Sequence, residues 1–217
     1  NFRWWLPYSG GQVTDWGVHH SDIALWALGA QDTGIATAEG KGTFPEFLRE
    51  VDPVDYLNGK VQLPQSYNVA TSFDVDMTVA NGNTLKLYSG SNELIIEGDE
   101  GKIRVNRGGL TGAPVEQIAG NAADKKWLDE EVRKLYRDMP LGSHMGNFFH
   151  CIESGETPIS DVFTHTNSVN ACHIANICML LGRKVTFDIN TYDFPGDDEA
   201  NAFINRTQRP PYEIAGV

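Results

Sequence analysis

The sequence predicts an α+β fold: a mostly antiparallel open sheet with helices packed on one face. Three observations carry this. Residues 72–80 alternate, with Phe73, Val75, Met77 and Val79 on one side and Asp74, Asp76 and Thr78 on the other, the period of a strand with one covered face. Asn81-Gly82-Asn83 and Gly98-Asp99-Glu100-Gly101 are turn signals between successive strand-like runs, which reads as an antiparallel meander. Long segments with helical apolar spacing supply the cover that a sheet with one apolar face requires.

In chain order, helices are expected at about 15–29, 124–138, 142–154, 162–182 and 197–206, and strands at about 33–43, 68–80, 83–89, 93–98, 102–107 and 184–188. Pro45, Pro53, Pro64 and Gly108-Gly109 mark loops, and the chain shows no internal repeat or low-complexity tract. A chain of 217 residues can bury roughly 70% of its unfolded surface, so 1–217 is read as one domain.

Charge narrows the function classes. Lys and Arg number 17 against 29 Asp and Glu, a net charge of −12, which repels phosphate backbones and anionic lipid but not a neutral sugar or polyol. No nucleic-acid or membrane partner is expected. No apolar run approaches the roughly 18 residues of a membrane span, and the N-terminus lacks the order of a signal peptide. The compartment, cytoplasmic or periplasmic, stays open. Cys151, Cys172 and Cys178 lie in apolar helical stretches and read as buried thiols rather than a disulfide framework.

The densest chemistry lies in Thr14-Asp15-Trp16-Gly17-Val18-His19-His20-Ser21-Asp22. On a helix, Asp15, His19 and Asp22 fall within an arc of about 60°. A carboxylate one turn from an imidazole can fix its tautomer and stabilise its protonated form, the pairing that general acid/base chemistry uses. The same pattern also fits a solvated polar face with incidental ion pairs. Trp16, Ile23, Ala24, Ala27 and Leu28 fall on the other side and read as a core-facing stripe, with His20 among them as a structural histidine. Just upstream, Phe2, Arg3, Trp4, Trp5 and Tyr8 fit a carbohydrate pocket wall, because ring faces pack on sugar C–H surfaces, and fit core packing about as well.

Other constellations lose. His165, Cys172, His173 and Cys178 match no metal-ligand spacing and sit in a helix that reads as buried, so no metal is expected. Gly98 to Ile103 lacks the gap and the hydroxyl residue of a phosphate loop and reads as a hairpin turn. Gly40-Lys41-Gly42 runs into Phe44-Pro45 where a third glycine and a helix start would be needed, so it is not a dinucleotide fingerprint. Gly142-Ser143-His144-Met145 resembles a cloning scar but is internal and runs into a helix.

The Gly10-Gly11 turn followed by Asp15, His19 and Asp22, with Ile23 to Gly29 closing the helix, resembles the start of the C-terminal domain of the Gfo/Idh/MocA oxidoreductases. The resemblance continues through Glu97 to Ile103, His144 to Ile152 and Phe194 to Asn201, and is greatest to a bacterial branch of that family. It implies the substrate-binding and oligomerisation domain of an NAD(P)-dependent enzyme acting on the CH–OH group of a sugar, polyol or related compound.

In that reading His19 and Asp15 are catalytic, His19 as general acid/base and Asp15 as its orienter. Asp22, Arg3, Trp5 and Tyr8 bind substrate, and the sheet face pairs subunits into a homo-oligomer. The 217 residues contain neither the family's dinucleotide-binding domain nor a Lys-Pro dipeptide for its Glu-Lys-Pro motif. NAD or NADP is therefore expected on the parent protein and not on this fragment alone, which is expected to be inactive. Two readings stand beside this one: a non-catalytic carbohydrate-binding or assembly module, and, more weakly, a glycosidase with paired carboxylates.

Overall fold

The computed structural model describes residues 1–137, 139, 143–208 and 210–215. After a 3-10 turn at Phe2–Trp4 come α1 (Gln12–Asp15), α2 (Gly17–Ala27), β1 (Ile35–Thr43), α3 (Glu46–Arg49) and α4 (Pro53–Leu57). The strands β2 (Ser72–Val79), β3 (Thr84–Tyr88), β4 (Leu94–Gly98), β5 (Gly101–Asn106) and β6 (Gly109–Thr111) follow. The chain continues through α5 (Ala113–Gly120), α6 (Ala122–Leu135), α7 (His144–Ser154), α8 (Val162–Leu181), β7 (Val185–Thr186) and α9 (Asp198–Asn201). The arrangement is α+β with antiparallel open sheets. Residue contacts group the chain into two compact units, Asn1–Gly90 with Thr166–Val217, and Ser91–His165.

In the first unit the sheet order is β3-β2-β1-β7. Strand β2 buries Phe73, Val75, Met77 and Val79 and leaves Asp74 and Asp76 in solvent, as its alternation requires. Helix α8 covers the apolar face, with the Cys178 thiol beside the Gly40 carbonyl and Met179 over Gly42. Close neighbours explain the Gly-Lys-Gly run of β1, β2 at Gly40 and α8 at Gly42. A Cβ on Gly40 would strike the Asp74 carbonyl and come within 2.5 Å of Val75 Cα, and one on Gly42 would lie 2.8 Å from Met179 Sδ. On the opposite face Thr37 and Thr78 share a 2.6 Å hydroxyl hydrogen bond, and Lys86 reaches Asp74 at 2.6 Å and Asp76 at 3.1 Å.

The single meander expected from the turn signals divides into two sheets. Ser89 closes the β2–β3 ladder, its N–H donating to the Phe73 carbonyl and its hydroxyl accepting from the Phe73 N–H, and among the described residues β3 pairs with β2 alone. In the second unit, β4-β5-β6 form a separate antiparallel sheet. Gly98 lies opposite Gly101 at its first turn, a hairpin as expected, and Gly108-Gly109 stand at its second. Pro45 and Pro53, read as loop markers, instead start α3 and α4, the latter capped by the Asp52 carboxylate at 2.7 Å from the Val54 nitrogen. Helix α5 falls between the expected strand at 102–107 and helix at 124–138, where no element is expected, and the helix expected at 197–206 is α-helical only over α9. The expected helix ends at 138 and 142, and Gly142 of the scar-like tetrapeptide, lie outside the described residues.

The helix expected at 15–29 begins earlier and breaks into α1 and α2 at Trp16. Its core side also differs from the stripe read from the sequence. Gly17, Ser21, Ala24 and Leu25 are buried, whereas Trp16, Ile23 and Trp26 are 38%, 44% and 38% exposed and Ala27 is exposed as well. Small residues set this choice. A Cβ on Gly17 would already lie 3.6 Å from Cys172 Sγ and 3.7 Å from Leu87 Cδ1, so α2 approaches α8 and β3 where its side chains are smallest. His20, read as a packed or hydrogen-bonded histidine, is half-buried.

Candidate functional site

The Gly10-Gly11 turn sets the start of α1. Gly11 has φ +70°, and a Cβ there would lie 2.5 Å from Val69 Cγ2, so a side chain is excluded by conformation and by space. The Gly11 N–H donates to the Arg3 carbonyl at 3.0 Å, and the Gly10 N–H donates to Thr14 Oγ1 at 2.9 Å. These bonds fold the segment carrying Arg3 and Trp5 back against the helix that carries Asp15.

Arg3 Nη1 donates to Asp15 Oδ2 in an ion pair. Among the described residues no hydrogen bond joins Asp15 to His19, so the carboxylate expected to orient the imidazole is engaged by a guanidinium instead. His19 is exposed, with Trp16 edge-on to its ring at 6.5 Å between centroids. The face that carries it is dominated by Trp16, Ile23 and Trp26, not by the polar residues expected there. Asp22 accepts a 2.7 Å hydrogen bond from the Ser168 hydroxyl, which ties α2 to α8.

The aromatic cluster also divides. Trp5 is half-buried and meets Tyr67 edge-on at 6.0 Å, while Tyr8 is 70% exposed. Tyr8 lines a cleft of about 320 Å³ with Ser9, Asn170, His173, Asn176 and Arg206. Arg3, Trp5, Asp15, His19 and Asp22 are not among that cleft's lining residues. The six expected site residues therefore occupy at least two places.

Asn68 is a positioning residue that the sequence reading missed. It is 0% exposed; its Oδ1 accepts from the Leu6 N–H at 2.7 Å, its Nδ2 donates to the Tyr56 hydroxyl at 2.6 Å, and its own N–H donates to the Trp4 carbonyl at 3.1 Å. It holds the backbone on either side of Trp5. Burial raises the Tyr56 phenol pKa above its ordinary 10.0, with the Asn68 amide pulling the other way. An isolated asparagine in a loop gives no signal of this role.

Other reactive groups are quiet. Burial pushes the Cys172 thiol up to about 12 and the Cys178 thiol up to about 11, which leaves no thiolate for nucleophilic chemistry. Among the described residues no group of three or more His, Cys, Asp or Glu side chains is arranged to hold a metal ion. No helix there is long and apolar enough to cross a membrane.

With this geometry in hand, residues 38–214 match the Gfo/Idh/MocA model described as an oxidoreductase family, C-terminal alpha/beta domain. The chain belongs to this family. The matched span takes in the antiparallel sheets from Ala38 onward, and the Gly-Gly turn and the Asp15/His19 helix lie before it. Among solved structures, an NAD-binding protein from Listeria innocua is 15% identical with a TM-score of 0.51, the match covering 86% of this chain and 54% of that one. GenD2 of gentamicin A biosynthesis, solved in complex with NAD, is 14% identical with a TM-score of 0.45, covering 87% and 52%. The chain thus spans about half the length of the structures it resembles. No curated protein sequence matches it.

Proposed function

We propose that this Gfo/Idh/MocA domain is the substrate-bearing part of an NAD(P)-dependent dehydrogenase acting on a CH–OH group of a sugar, polyol or related compound. The observation that carries the reading is His19, an exposed imidazole one helical turn from the Arg3–Asp15 pair. In the proposal His19 takes the proton of the substrate hydroxyl as the carbinol is oxidised and returns it in the reverse direction. Asp15 keeps Oδ1, which Arg3 does not take, for the imidazolium. Asp22 keeps Oδ2 for a neighbouring hydroxyl while Ser168 holds Oδ1.

These residues do not fit the cofactor itself. Gly40 and Gly42 stand inside β1 under α8, and Gly98 and Gly101 form a hairpin turn, so neither pair seats a pyrophosphate at a helix N-terminus. The proposal therefore assigns NAD or NADP to a dinucleotide-binding domain outside these 217 residues. It also assigns self-association to the polar sheet face carrying Thr37, Thr78, Asp74, Asp76 and Lys86.

One observation favours a second reading, a non-catalytic carbohydrate-binding or assembly module: Asp15 is paired with Arg3 and not with His19. The deciding experiment is His19→Ala in the intact protein, screened against sugars and polyols with NAD and NADP. Single-turnover hydride transfer should fall about 10²–10⁴-fold while cofactor binding holds. Transfer unaffected across the pH range overturns the catalytic role, and saturable carbohydrate binding without turnover in the parent supports the second reading.

A further inference from the structure

The cleft beside α8 is built differently from the surface around it. The chain carries 29 acidic residues and a net charge of −12, yet among the described residues none that lines the cleft is Asp or Glu. The one fixed charge among its described lining residues is the Arg206 guanidinium, whose Nη1 donates to the Pro7 carbonyl at 3.3 Å. Asn176, only 5% exposed, lines the cleft and makes a long 3.4 Å hydrogen bond to the Gly10 carbonyl. Leu57, Ile177, Leu180 and Phe203 supply an apolar wall. A concave apolar surface with a few convergent polar groups is the ordinary form of a small-molecule site, and about 320 Å³ lies at the small end of that range.

We propose that this cleft binds a small molecule with an apolar body and one carboxylate, the carboxylate on Arg206 and the body against Ile177, Leu180 and Phe203. A guanidinium presents paired N–H groups that match a carboxylate, and a wall free of acidic groups removes the repulsion that the rest of the surface would impose. This site is separate from the one proposed around His19, and neither depends on the other. The titratable and charged groups lining it are Tyr8, His173 and Arg206. His173 keeps exposed surface, and the protein atoms crowded around its ring first, with the Arg206 charge second, hold its pKa below the ordinary 6.5. A bound carboxylate neutralises the Arg206 repulsion and attracts the protonated ring, so the His173 pKa rises on binding, and by linkage binding tightens as pH falls through that range.

The test uses benzoate as the probe and benzamide as its neutral isostere, with the histidine rings of the intact protein followed by NMR. Benzoate should shift the His173 ring saturably and raise its pKa, leave the His19 ring in place, and bind more tightly at lower pH. Benzamide should bind at least about tenfold more weakly, and Arg206→Gln, a change at an exposed side chain, should weaken benzoate by a similar factor. No saturable His173 shift up to benzoate concentrations on the order of 10 mM, equal affinity for benzamide, or undiminished binding by the Arg206→Gln protein each overturn the proposal.

Discussion

Asn68→Ala is expected to destabilise the unit that carries the Arg3–Asp15 pair by about 2–3 kcal/mol. The substitution removes two side-chain hydrogen bonds, to the Leu6 N–H at 2.7 Å and to the Tyr56 hydroxyl at 2.6 Å, from a residue with no exposed surface. Each such bond contributes about 0.5–1.5 kcal/mol net, and a buried donor left unpaired costs a further 1–3 kcal/mol or so. Leu6 is only half-buried, so water can reach its N–H and the lower end of that penalty applies. Tyr56→Phe removes one of the two bonds and strands no backbone group, and its expected cost is about 1 kcal/mol.

Urea unfolding of the parent, both single variants and the double variant measures the pairwise part directly. The coupling between positions 56 and 68 should be about 0.5–1.5 kcal/mol. A second readout carries a sign: the Asn68 amide lowers the Tyr56 pKa against the effect of burial, so Asn68→Ala should push the phenol further up, seen as the difference from the Tyr56→Phe background in an absorbance titration. A stability change below about 0.5 kcal/mol, or no coupling, would refute the argument that Asn68 anchors the Trp4–Leu6 segment.

Gly40→Ala should cost about 1–3 kcal/mol in the same unfolding assay because its Cβ meets β2 backbone. Gly120→Ala, with open space and no unusual φ, should cost little, and equal costs would sink the explanation. Asp197 caps α9 through the Ala200 N–H and takes a two-point contact from Arg183 at 2.6 and 2.7 Å. Arg183 first and the Ala200 N–H second hold its pKa below the ordinary 3.8. The stability it contributes is present above 3.8 and is lost as pH falls through the depressed value, so melting curves of Asp197→Asn and parent should converge in acid; a constant gap refutes this. Sedimentation over a range of concentrations should show self-association, and Thr37→Arg with Thr78→Arg should abolish it; a parent that stays monomeric through the micromolar range counts against the sheet-face interface.

The sheet was legible where one face is buried and the period is 2, as in β2, whose Phe73, Val75, Met77 and Val79 are all buried. Pairing was less legible because it is non-local. Nothing in residues 89–93 announces that β3 will end at Tyr88 and that β4 will join another sheet. Helix α5 carries Pro114 and Glu116 in its first turn but follows Gly112 at φ +131° and has no side-chain cap, so the capping residue that marks most helix starts is lacking.

The site shows the same division at closer range. Helical spacing places Asp15, His19 and Asp22 near one another, yet their partners Arg3 and Ser168 come from other elements and leave no mark in the local pattern. Which side of α2 is buried was also not readable from hydrophobicity, because apolar residues surround that helix nearly evenly. Proximity decides the inner side: Gly17, Ser21 and Ala24 let α2 approach α8 and β3, and Trp16, Ile23 and Trp26 are left outside with His19. A helix with apolar residues on both its sides suits an element covered on both sides. The proposed role of His19 needs such cover, since a proton is passed most effectively in a site from which water is excluded. The misread side of α2 is thus the side that the proposed chemistry uses.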